Sequence, residues 1–122
     1  MAEKTLEPVD RDVEVLKVYP VGDTDVCIAM RDFEDRKCID QYYNWDAVIR
    51  SVIPTLEEGI KAGEELEKKP VPPGEKKPKP VITITVINPK GEPDERCHLR
   101  IKDASKVLSR LRELVAARPS AA

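Results

Sequence analysis

At 122 residues, 40% hydrophobic and 36% charged, the chain has the composition of one folded domain with a modest core and a heavily charged surface. A net charge of −2 excludes a bulk attraction to polyanions, and no stretch is long and apolar enough to span a membrane. The acidic beginning lacks the charge and apolar run of a signal peptide, so a cytoplasmic location is expected.

In chain order, residues 1–12 are polar and without period, which predicts a flexible arm. Val13 to Val21 is strand-like, with Val13 and Val15 on one side, Leu16 and Val18 on the other, and a turn at Gly22 and Asp23. DVCIAMRDF from Asp25 and RKCIDQYYN from Arg36 read as a hairpin closing around Glu34 and Asp35. Cross-strand partners then have numbers summing to 69, so Arg31 faces Cys38, Ala29 faces Asp40 and Cys27 faces Tyr42, all on one face. Val26, Ile28, Met30, Ile39 and Tyr43 form the opposite, core-directed face.

Asn44 is a good N-cap for a long helix, with Asp46 in the first turn and a stripe of Val48, Ile49, Val52, Ile53, Leu56 and Ile60. Pro54 should kink it, and Gly59 and Gly63 should weaken its second half. Residues 69–80, KPVPPGEKKPKP, predict an extended, proline- and lysine-rich connector. VITITVI from Val81 is β-branched at every position, and NPKGEPDE is a turn. RCHLRIK then alternates Cys97, Leu99 and Ile101 against Arg96, His98, Arg100 and Lys102. Asp103 caps a final helix striped by Val107, Leu108, Leu111, Leu114 and Val115, and residues 119–122 are a tail.

The expected fold is α+β: a single antiparallel sheet of about five strands with two helices packed on one face, in one domain over residues 13–118. The opposite sheet face is left open, carrying Arg31, Tyr42, Arg96, His98, Arg100 and Lys102, with Arg36 beside the hairpin turn.

Signals for catalysis are weak. The single histidine excludes multi-histidine metal sites, and Cys97 beside it points the other way. No CxxC, glycine-rich phosphate loop or GxSxG occurs, so no enzyme activity, cofactor or metal is expected. Cys27, Cys38 and Cys97 read as buried or half-buried thiols, a disulfide between the first two staying open. Charge is unevenly placed: residues 1–35 sum to −6 and residues 96–122 to +5. Alternation sets the basic row about 6.8 Å apart, close to the spacing of successive single-strand phosphates, and Tyr42 beside it could stack an unpaired base. With one Gln and two Asn, the composition suits a hyperthermophile.

The run of strands, helix, further hairpin and C-terminal amphipathic helix over residues 13–118 resembles the archaeal ThermoDBP single-stranded DNA-binding proteins. The resemblance implies a sheet cleft lined by basic and aromatic residues, and oligomers joined through the C-terminal helix. This sequence differs in its few aromatics and in a final helix of only about four turns.

Two readings follow. In the first, Arg31, Arg36, Tyr42, Arg96, His98, Arg100 and Lys102 bind single-stranded DNA or RNA with little sequence specificity. In the second, the chain is a non-catalytic structural or protein-interaction subunit of a thermophilic archaeon or its virus. Either way a homodimer through Leu108, Leu111 and Val115 of the last helix is expected.

Overall fold

The structure, a computed structural model, describes residues 9–76, 79–87 and 90–117. The first eight residues of the expected arm, Lys77 and Pro78 of the connector, Asn88 and Pro89 of the turn, and the tail lie outside the described residues.

Strands β1 (Val9–Val21), β2 (Asp25–Asp32), β3 (Cys38–Asn44), β4 (Val81–Ile87) and β5 (Pro93–Arg100) form one sheet in the order β3-β2-β1-β5-β4. The β2–β3 hairpin has the expected register, with Arg31 opposite Cys38, Ala29 opposite Asp40 and Cys27 opposite Tyr42. The sheet is mixed, because β1 and β5 run parallel from Val9 beside Glu95 to Val13 beside Leu99. Residues 9–12 are therefore strand, which corrects the boundary drawn at residue 13. Tight turns enforce antiparallel neighbours, whereas β1 and β5 are joined through a helix and a long connector that leave the direction free.

The sequence places Val15 and Val18 on opposite sides of β1, yet both belong to the core. A bulge between Val15 and Lys17 absorbs Leu16, which is 47% exposed, and restores the alternation. The core face then carries Val13, Val18, Ile28, Met30, Ile39, Ile82, Ile84, Cys97 and Leu99.

Asn44 caps the first helix as expected, its side-chain oxygen accepting the Ala47 N–H at 2.7 Å. The helical run comprises α1 (Trp45–Ala47), a π-helical stretch (Val48–Val52) and α2 (Ile53–Lys68). Pro54 has no N–H to donate, so the strain of a mid-helix proline is met by widening the preceding turn: Ile53 N–H bonds back to Val48. The glycines serve close packing. A Cβ on Gly63 would stand 2.3 Å from the Ile101 Cδ1, and one on Gly59 would stand 3.0 Å from the Ile82 Cγ1.

The last helix, α3 (Ile101–Ala117), follows β5 with no intervening residue. Lys102, expected on the sheet row, therefore lies in a helix, and Asp103 sits inside the first turn rather than capping it. Val107 and Leu111 are fully buried and Leu108 is 7% exposed. These leucines, expected at a dimer interface, already fill the chain's own core. Both helices cover one face of the sheet and leave the other open.

Candidate interaction surfaces

The open face is built by side chains of alternate parity on all five strands. Asp10 and Asp12 of β1 lie beside Arg96 and His98 of β5, and Glu14 lies across from Arg31 of β2. Asp10 holds two members of the basic row. Its carboxylate accepts from Arg96 Nη2 at 3.0 Å and contacts His98 Nε2 at 2.9 Å. The other ring nitrogen, Nδ1, is 2.8 Å from the Thr83 hydroxyl. His98 first and Arg96 second hold the Asp10 carboxyl below its usual range.

Arg31 Nε donates to Glu14 at 2.9 Å. Arg100 reaches Asp103 at 3.5 Å and lies 4.9 Å over the ring of Phe33. Arg36 stands in the β2–β3 turn with φ of 65°, apart from the row. Tyr42 is 50% exposed beside Cys27, with Lys17 stacked 5.1 Å over the neighbouring Tyr19. Proximity to the Cys27 thiol, then partial burial, pushes the Tyr42 hydroxyl up.

The structure thus brings Arg31, Tyr42, Arg96, His98 and Arg100 onto one face and removes Lys102. It also places Asp10, Asp12, Glu14, Asp25 and Asp40 there, interleaved with the cations. Half-exposed ion pairs are worth only about 0–1 kcal/mol each and do not by themselves bar a phosphate. Carboxylates interleaved with the cations also lower the positive potential of this face. Asp10 and Asp12 were legible as strand residues only if the β period is carried upstream of Val13.

Arg11, next to Asp10, points into the other face. It bonds Asp35 at 2.7 Å and Asp32 and Glu95 at 3.1 Å, and Lys37 joins Glu95 at 3.0 Å. Burial pushes the Asp32 carboxyl upward, but the amides of Glu34 and Asp35 and the Arg11 guanidinium together hold it below its usual range. The cluster ties β1, β5 and the β2–β3 turn together. Among the described residues no group of three or more His, Cys, Asp or Glu is arranged to hold a metal ion. Cys27, Cys38 and Cys97 are all free thiols. Burial raises the pKa of Cys97 to about 11, which keeps it protonated and inert.

The second surface is an edge. β3 and β4 bound the sheet, and they differ in chemistry. β3 presents Asp40, Gln41 and two tyrosines, whereas β4 is uncharged over seven residues. Val81 and Ile87, at its two ends, are each 48% exposed on the open face.

Comparison with protein-family models, curated proteins and solved structures finds no match to this chain. No helix among the described residues is long and apolar enough to cross a membrane.

Proposed function

We propose that this chain is a non-catalytic protein-interaction subunit that associates with further copies of itself. The observation that carries the reading is the contrast between its surfaces. The charged open face is balanced within the chain, and the β4 edge carries exposed β-branched residues and no charge. Charged residues and prolines are what ordinarily keep a strand edge from pairing, and β4 has neither, its one register irregularity against β5 falling at the end, between Val86 and Ile87. Arg11, Arg31, Arg50, Arg96, Arg100, Arg110 and Arg112 each hold a carboxylate, an arrangement suited to a thermophilic archaeon or its virus.

A second reading keeps single-stranded DNA or RNA as the partner of Arg31, Arg36, Tyr42, Arg96, His98 and Arg100. The half-exposed Tyr42 ring on the same face as Arg31 favours it. One pair of measurements separates the two: light scattering at micromolar concentration, and anisotropy of labelled single-stranded DNA and RNA across a salt series. The subunit reading expects a dimer mass and no salt-dependent binding at micromolar protein. A monomer whose oligonucleotide affinity falls steeply with salt would overturn it in favour of the second.

A further inference from the structure

Resting on the subunit reading, we infer that two copies join by antiparallel pairing of their β4 strands about a two-fold axis at Ile84, fusing two sheets into one. The strand is at the sheet's edge, and its sequence, VITITVI, is chemically symmetric about its centre. In a self-pair centred on Ile84 the partner numbers sum to 168. Val81 then faces Ile87, Ile82 faces Val86, Thr83 faces Thr85, and Ile84 faces its own copy. Every residue meets its own class on its own side of the sheet.

An odd sum would put the helix-covered side of one copy beside the open side of the other. The neighbouring even sums, 166 and 170, set threonines against Val81 or Ile87 and leave two end residues of each strand unpaired. One register therefore satisfies the strand throughout, and a dyad makes the interface isologous and closed.

The surroundings leave room for this occupant. A shallow depression of ≈ 120 Å³ lies beside Ile82–Thr85, walled by Val52, Thr55 and Leu56 of the helical run and by Tyr43 of β3. The helical run meets β4 on its covered side, with Gly59 against Ile82, while Thr83 and Thr85 stay exposed. A linear peptide could add to the same edge, but nothing in such a partner would require the palindrome. A second copy does.

The test uses the full chain and charge pairs placed across the proposed dyad. Thr83 and Thr85 are exposed, and they lie beside His98 and Arg96 within the protomer. The double substitution Thr83→Glu with Thr85→Glu sets like charges opposite each other twice in the dimer, while suiting the basic neighbours in the monomer. It should weaken the dimer at least about tenfold by light scattering, with the thermal unfolding midpoint retained. Thr83→Lys with Thr85→Glu sets opposite charges across the same contacts and should dimerise at least as tightly as the unsubstituted chain.

Equal behaviour of the two double variants would overturn the register. A dimer indifferent to both would overturn the β4 interface while leaving the subunit reading in place. An unsubstituted chain that is monomeric overturns both, and polydisperse aggregates in place of a dimer overturn the closed two-fold arrangement.

Discussion

Asp10 and Arg11 are neighbours on β1, and each gathers opposite charges from β5, yet they do different work. Asp10 meets Arg96 and His98 on the open face, where its own side chain is 56% exposed. Arg11 meets Asp32 and Glu95 at the end of the core, where the three side chains are 14%, 7% and 8% exposed. Water screens the first cluster and competes for its hydrogen bonds, so little of its attraction remains as net stability. The second has lost its water, and each member depends on the others. Ion pairing contributes more to the fold around Arg11, on the helix-covered face, than around the exposed Asp10.

The largest expected effect comes from breaking the buried cluster. Arg11→Ala would take from Asp32 its only described cation and leave Glu95 with Lys37 alone, and should cost about 2–3 kcal/mol in urea unfolding. A cost near that of an exposed pair would remove the distinction between the two faces.

Acid should come next. Asp35 is held below the usual carboxylate range by the Lys37 amide and then by Arg11, and Asp32 is lowered as described above. A depressed carboxyl contributes stability that is fully present above its unfolded pKa, about 4, and is lost as pH falls through the lower folded value. Unfolding free energy should therefore decline from about pH 5 downward. Asp32→Asn should flatten that decline, and an unchanged pH profile would show the cluster to be solvated.

Asp10→Asn sharpens the comparison from the other side. Its carboxyl is also lowered, by His98 and then Arg96, but its exposure leaves little free energy at stake. The unfolding midpoint at neutral pH should barely move, and a loss matching that of Arg11→Ala would place the open face among the structural elements.

An effect of opposite sign lies in the turn that Asp32 organises. Its side chain accepts the Glu34 amide at 2.7 Å and the Asp35 amide at 3.2 Å, forcing Arg36 to φ of 65°. Arg36→Gly should stabilise by about 0.5–1 kcal/mol, the relief of a left-handed residue less the added chain entropy. A loss instead would mean that the Arg36 side chain contributes to the fold.

Much of this arrangement was legible beforehand, and the gaps have physical causes. The β2–β3 register followed from alternation, because a slip of one residue would have sent Ile28 and Met30 to the open face. Asn44 was readable as a cap because the hydrogen bond it makes is local. Lys102 was misplaced because RCHLRIK keeps its period across the point where the backbone turns helical. The alternation of Ile101 and Lys102 continues a strand on paper, whereas in the fold Ile101 opens α3 and packs against Gly63 of α2. Val18 was placed on the wrong side because a bulge adds a residue without any mark in composition.

By itself, the sequence determined the α+β class, five strands, a capped long helix, an amphipathic last helix and the β2–β3 register. Each of these rests on periodicity or on contacts between near neighbours in the chain. Tertiary structure alone decided the parallel pairing of β1 with β5, the placement of β4 at an edge, and the meeting of Asp10 with Arg96 and His98. Those features depend on segments more than 80 residues apart, as with Asp10 and Arg96, and no local pattern carries that distance. The same remoteness explains why the Asp10 carboxylate could not be read from the local sequence as the partner of Arg96 and His98.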